Sequence, residues 1–491
     1  MIYSRQERRL ALRDLVDSAL DLAKVKGATF AEVRVVERRS ETLEVKNGSA
    51  EVIKYDESHG CGVRVIVDGA WGFASTSKIE RGEVEAITDL AVRIARASAL
   101  TKKENVVLSS AEKVVANYRT PVKIDPFTVP LAKRVDLLLQ ADRLLQEEGV
   151  RISQAFMSLF GEKKIFANTE GSYISQEVIE CGGGIAATAV KNGEVQVRSY
   201  PNSFRGNFAT AGYEFIESLD LVRNAPRVAS QAVELLTASQ CPSKVTTLII
   251  DGSQLALQVH ESCGHPIELD RVFGSEASYA GMSFLTPEKL GNFRYGSEVV
   301  NIVADATVPG GLGTFGFDDE GVASQRIPIV KDGIFVGYLT SRETAAKLNQ
   351  QSNGTMRASG WNRIPLVRMT NINLEPGGWT FEDLIADTDE GIYVETNRSW
   401  SIDDKRLNFQ FGAEIGWEIK NGKLGAMIKN PTYTGITPQF WGSCDAVCDK
   451  SHWKMWGTPN CDKGEPSQTM HVGHGTAPAR FQKIRVGVMN R

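Results

Sequence analysis

Residues 251–269 read DGSQLALQVHESCGHPIEL and bring two histidines and a glutamate together at His260, Glu261 and His265. A zinc-binding helix usually spaces its histidines i, i+4, because ~3.6 residues per turn then put both on one face. Here the spacing is i, i+5. On a regular helix that is a rotation of roughly 500°, so the rings would point about 140° apart and could not share one tetrahedral ion. The helix must deviate locally, either through one wide π-type turn or by ending at Cys263/Gly264 with the glycine in the left-handed region. Gly264 followed by Pro266 is a common stop signal, so the second device is expected, its exit turn carrying His265 back over the His260 face. The carbonyl-rich C-terminal pole of the helix would then face the ion, which suits a cation. Upstream, residues 244–250 read as a buried strand, Asp251 or Ser253 as the helix cap, and Leu255 with Val259 as an apolar i, i+4 pair.

A catalytic zinc site keeps about three protein ligands and one open position. Cys461 is the candidate third ligand. It lies in TPNCDKGEP (458–466), among the turn formers Pro459, Asn460 and Gly464, and is expected on an irregular loop that folds back. Thiolate suits zinc. Glu261 follows the first histidine, where it can act as general base toward the water such an ion would activate, and the chemistry that results is hydrolysis of a polarised carbonyl. Cys444, Cys448, His471 and His474 are the alternatives to Cys461. Glu268 and Asp270 stand just past His265 and can orient a ligand imidazole, which usually donates its second N–H to a carboxylate or carbonyl.

The string HESCGHPIELD, with GFDDEG at 316–321, RMTN at 368–371 and a late Cys461 near VGHG at 472–475, resembles the TldD/PmbA family of metallopeptidases, on the side of its catalytically competent TldD branch. The match covers most of the chain. The resemblance implies zinc held by His260, His265 and Cys461, with Glu261 as catalytic base. It also implies peptides or unfolded protein segments as substrate, reached inside an enclosed chamber, and a working dimer, either a homodimer or a heterodimer with a related inactive chain.

Length and charge bound the reading. At 491 residues the chain exceeds the roughly 250–300 at which a single core stops growing. A net charge of −4, from 56 basic and 60 acidic side chains with no basic block, argues against nucleic acid as a partner. The start, MIYSRQERRLALRD, is charged, and no apolar run approaches the ~20 residues that span a bilayer, so a cytoplasmic protein without a membrane partner is expected. Seven cysteines fit reduced thiols.

In chain order, helical periodicity covers 6–26, about 82–99, about 129–148 and about 218–238. Alternating runs at 31–38, 41–48, 50–57 and 62–76 read as a meander, with Asn47-Gly48 and Asp68-Gly69 as hairpin turns. Residues 101–128 read as a connector, and His59 as part of a loop between strands. Strands resume over 150–208. After the hexapeptide the chain is extended and glycine-rich, with further tight turns at Asp332-Gly333 and Asn421-Gly422. The fold class is α+β: layered units over 1–110 and 111–238, then a β-rich catalytic domain over 239–491 whose mainly antiparallel sheet encloses the metal helix.

Several stretches compete for a role. Cys444, Cys448 and His452 could bind a structural zinc, although they lack a paired Cys-x-x-Cys and a fourth ligand. Trp441, Trp453 and Trp456 read as a buried wall or substrate passage. Gly310, Gly311, Gly313 and Gly316 lack the lysine and helix start of a phosphate loop and read as a tight connection. Asp318, Asp319 and Glu320 read as a solvated turn. Two rival functions are a non-catalytic subunit with a closed structural site, completed by Cys263 or His474, and a metal-dependent amidase for small molecules. An intact Glu261 speaks against the first, and the width of the entrance separates the second.

Overall fold

The computed structural model describes the backbone over residues 5–487 and side chains from Leu12 onward; the first four positions of the charged N-terminal run, and the side chain of Leu10 in the first helix, lie outside the described residues. Two glycine-bearing turns set up the N-terminal sheet. Asn47 and Gly48 take φ of 48° and 82°, and Asp68 and Gly69 take 51° and 73°, the left-handed pair that a tight hairpin requires. They join β1 (Phe30–Lys46), β2 (Ser49–Val67) and β3 (Ala70–Thr76). The four expected runs are therefore three strands. The polar centre of β1, residues 37–40, stays extended because it is paired on both sides, to β2 and to β5 (Val150–Asn168). His59 likewise lies within β2, opposite Glu37, and not in a loop.

The sheet continues through β6 (Tyr173–Lys191), giving the order β3-β2-β1-β5-β6-β4, with β7 (Glu194–Tyr200) and β8 (Asn207–Ala209) also on β6. β4 (Val115–Arg119), inside the stretch read as a connector, pairs parallel to β6. One sheet thus runs from residue 30 to residue 209. Ala31, Val33 and Val35 of β1 pack with α1 (Arg5–Val25) and α2 (Arg81–Ala99), while Leu43 and Val45 pack with α3 (Leu131–Leu145) and α5 (Leu221–Leu235). The helix expected over about 218–238 is α5, and a short helix α4 (Tyr213–Ser218) precedes it, with Asp220 at φ 48° between the two. The intervening positions Glu32 and Arg34 are buried as well, and Arg34 donates to the carbonyl of Arg363. They meet the C-terminal half of the chain.

That half is built on a second eight-stranded sheet, antiparallel except where Lys244–Ile250 lies parallel to Glu390–Ile402 and where Ser239–Gln240 joins Lys423–Lys429. Asp332-Gly333 and Asn421-Gly422 form left-handed turns like the two above. A four-stranded sheet, with Ile302–Asp305 and Ile372–Leu374 at its centre and edge, and a late hairpin of Lys454–Lys463 with Gln468–Thr476 complete it. A single apolar core joins these sheets to the strand, helix and turn of residues 248–269. All seven cysteines are free and buried. Among the described residues no helix is long and apolar enough to cross a membrane.

Candidate metal centre

The central strand Lys244–Ile250 delivers the chain into the core, and Asp251 caps the helix that follows, its Oδ1 accepting from Ser253 N at 2.8 Å. That helix, α6 (Gly252–Val259), continues into a π turn over His260–Gly264, in which the N–H of His265 bonds the carbonyl of His260. An i→i+5 bond widens the turn by one residue, and so stacks residues five apart. The two imidazole centroids lie 4.9 Å apart as a result. The expected left-handed exit is not what the chain uses: Gly264 is right-handed helical at φ −57°, ψ −56°. Glycine is required there for space, since a Cβ would sit 2.1 Å from the Met369 sulfur. Pro266, which has no N–H to donate, opens the tighter turn His265–Ile267.

Cys461 comes from the late hairpin, on a strand and not on a loop. Its turn-forming neighbours Pro459 and Asn460 instead make a bulge: Thr458 pairs with Val472 and Cys461 with Met470, one residue more on this strand than on its partner. A bulge re-aims the side chain beside it. Cys461 Sγ ends 3.4 Å from His260 Nε2 and 3.8 Å from His265 Nε2, and the three donor atoms all lie within 4.8 Å of one another. Bonds of about 2.3 Å to sulfur and 2.1 Å to nitrogen would set tetrahedral S···N edges of about 3.6 Å, so the donor set fits zinc.

The surroundings fix which imidazole nitrogens are bare. His474 Nδ1 donates to the carbonyl of Ile372, so its Nε2 accepts from His260 Nδ1 at 2.8 Å and leaves His260 Nε2 unprotonated. Glu268 Oε2 accepts a hydrogen bond from His265 Nδ1–H at 3.1 Å, with the same consequence at His265 Nε2. His474 therefore stands behind a ligand instead of replacing Cys461. Burial pushes His260 below the ordinary histidine range, and pushes His474 far below it, with the neighbouring His260 adding to the effect. Burial would raise Glu268, yet Lys463, His265 and Arg368 together hold it well below the usual carboxylate range.

Arg368 gives the RMTN stretch a role that its chemistry alone did not show. It donates to the carbonyls of Cys461 at 2.6 Å and Gln468 at 2.8 Å, and its Nε lies 3.7 Å from Glu268, so one guanidinium ties the thiol's backbone to the carboxylate behind His265. Asn371 bonds Gly313 N and the carbonyl of Asp305, holding the glycine-rich connection in place. Asp270, also proposed to orient a ligand, instead pairs with Lys463 at 2.7 Å.

Glu261 follows the first histidine and is buried. Its Oε2 accepts from Arg406 Nη1, while Oε1 has no protein partner among the described residues. Burial would raise its carboxyl, but His265, His260 and Arg406 outweigh that and lower it. The sequence reading missed Arg406 and Lys463. Lys463 carried a signal, being a lysine two positions beyond Cys461 on one strand face; Arg406, in the charged run DDKR, carried none.

The other candidates are placed elsewhere. His471 turns away to Glu180, 2.5 Å off, and to the ring of Phe160. Cys263 is in the apolar core, its thiol pushed up to about 12 by burial. Cys444 starts a strand against Ala479–Val486, and His452 accepts from Phe381 N. Among the described residues only His260, His265 and Cys461 are grouped so that they could share an ion. Trp441 is fully buried, and its indole donates to Ser262 behind the π turn, so it forms wall and not passage. Asp318, Asp319 and Glu320 are 1%, 3% and 2% exposed, which overturns the solvated turn. Their partners Lys164, Arg34 and Arg64 lie far away in the chain, on the N-terminal sheet.

Comparison with known proteins follows the same lines. Models of the PmbA/TldA metallopeptidase family match in three parts: domain 1 over residues 31–98, the central domain over 124–240 and the C-terminal domain over 243–487. A metalloprotease from Methanocaldococcus jannaschii is 31% identical over 420 residues, which span 85% of this chain and 89% of that protein. A zinc metalloprotease TldD homolog from Saccharolobus solfataricus is 21% identical, over 94% of this chain and 97% of its own. The solved structure of TldE from Thermococcus kodakarensis shares the fold, with a TM-score of 0.72 at 15% identity over 96% of this chain and 100% of that one.

Proposed function

Because the chain belongs to the PmbA/TldA metallopeptidase family, we propose that it is a cytoplasmic zinc metallopeptidase that hydrolyses peptide bonds in peptides or unfolded protein segments. The observation that carries the reading is the convergence of His260 Nε2, His265 Nε2 and Cys461 Sγ beside Glu261. When bound, zinc supplies Lewis acidity toward a peptide carbonyl and toward water. The protein supplies the rest. Glu261, ionised and with Oε1 free, takes a proton from the attacking water and returns it to the leaving amine. His474 and Glu268 keep both ligand imidazoles in the tautomer that presents Nε2, and Arg368 holds the Cys461 backbone. The working form in this proposal is a dimer, of identical chains or with a related inactive chain, which encloses the site in a chamber.

The test compares cleavage of casein, and of a mixed peptide pool, by wild type and Glu261→Gln at matched zinc content. Loss of the base is expected to cost about 10²–10⁴-fold in rate with zinc retained. Equal cleavage by both proteins would sink the catalytic role and leave zinc a structural ion.

A further inference from the structure

Arg406 stands outside the ligand set, in the loop between strands Glu390–Ile402 and Asn408–Lys420. Three observations single it out. Its Nη1 donates to Glu261 Oε2. Its side chain is 16% exposed, and its Nε is buried without a hydrogen-bond partner. Its backbone is held at φ 62°, a region that non-glycine residues occupy sparsely. The loop is braced into that conformation. Asp403 accepts from the N–H groups of Leu407 and Asn408, Thr437 Oγ1 donates to the Arg406 carbonyl at 2.9 Å, and the buried Arg271 reaches the carbonyl of Asp404.

A buried cationic donor left unpaired is unfavourable in a resting fold, because nothing replaces the water it lost. At Arg406 that cost is offset by the ion pair of its Nη1 with Glu261, which fixes the carboxylate. Resting on the metallopeptidase reading above, we propose that Arg406 is a positioning residue that holds Glu261 by Oε2, so that Oε1 is the atom that takes the proton. Guanidinium geometry suits this task. Its donors form a rigid fork, whereas a lysine ammonium is a single point charge.

The experiment is steady-state cleavage of one defined peptide, chosen from a pool that the wild type cleaves, by wild type, Arg406→Ala, Arg406→Lys and Glu261→Gln, with bound zinc measured for each. Arg406→Ala is expected to lose about 10²–10³-fold in kcat at unchanged zinc content, the size of effect seen when one preorganised donor is removed. Millimolar guanidinium should raise its rate, equimolar sodium chloride should not, and Arg406→Lys should stay impaired despite its charge. The inference is overturned if Arg406→Ala keeps kcat within threefold with zinc bound, or if both Arg406 variants lose activity only in proportion to lost zinc. Those outcomes differ from failure of the underlying reading, in which Glu261→Gln itself stays active.

Discussion

Two clusters of buried charge lie in this chain and are built to opposite rules. In the one, Asp318, Asp319 and Glu320 meet the N-terminal sheet with every carboxylate oxygen satisfied: Asp318 by the N–H groups of Glu320, Val322 and Met356, Asp319 by Lys164 and Ala358 N, Glu320 by Arg64 and Arg342 N. In the other, around His260–His265, the surrounding groups are arranged so that particular atoms stay bare: two imidazole Nε2, a thiol, Glu261 Oε1 and Arg406 Nε. A closed charge cluster fastens domains, and an open one has valence left for a ligand. Burial alone does not tell them apart; the difference appears in which atoms lack partners.

The sharpest way to break the contrast is to open the closed cluster. Glu320→Ala strands Arg64 with Glu32 alone and leaves the buried Arg342 N–H without its acceptor. Removing one member of a buried pair costs about 3–5 kcal/mol, so a large fall in stability toward chemical denaturant is expected. Zinc affinity measured on the folded protein should be unchanged. A drop in zinc affinity as large as the drop in stability would show that the two clusters are one unit.

The same cluster sets an acid limit. Burial would raise the Asp319 carboxyl, but Lys164 and Arg34 outweigh it and hold it at about 2, below its ordinary 3.8. A carboxyl lowered on folding contributes stability that is present above its unfolded value, near 4, and is lost as pH falls through its folded value. With 1.36 kcal/mol per pKa unit the contribution is about 2.5 kcal/mol, disappearing between about pH 4 and pH 2. Denaturant titrations of wild type and Asp319→Asn should converge over that range. Parallel curves would assign the acid sensitivity elsewhere.

What the sequence made legible is what local chemistry encodes. The Asn-Gly and Asp-Gly turns, the Asp251 cap and the grouping of His260, Glu261 and His265 could all be read within a window of a few positions, whereas Cys461 stood among four alternatives until the late hairpin placed it beside the histidines. The Asp318–Glu320 triplet could not, because what buries it is Arg34, Arg64 and Lys164, more than 150 residues upstream, and three acidic residues in a row look solvated until their partners are placed. The route by which His265 returns to His260 was misread for a related reason. Glycine then proline is a stop signal in isolation, yet here glycine answers the close approach of Met369, a contact 105 residues away in sequence. Arg406 was invisible because a loop's reach to Glu261 is a tertiary fact.

The mildest perturbation goes to the open cluster, and it separates orienting a ligand from holding the fold. Glu268→Gln keeps size and shape, and its carbonyl oxygen can still accept from His265 Nδ1, so the imidazole need not turn. The charge is lost. Lys463 keeps Asp270 and the carbonyl of Val367, and Arg368 keeps the carbonyls of Cys461 and Gln468, so neither cation is stranded as Arg64 is by Glu320→Ala. The loss should therefore appear where the negative charge acted, in the basicity of His265 Nε2. Changing such a partner typically lowers metal affinity about 10–100-fold, or about 1.4–2.7 kcal/mol, and zinc competition with a chelator should show that fall while the denaturation curve of the zinc-free protein moves less than that of Glu320→Ala. If zinc affinity holds and the zinc-free fold weakens instead, Glu268 is a structural charge like Glu320, and the open cluster is closed on that side.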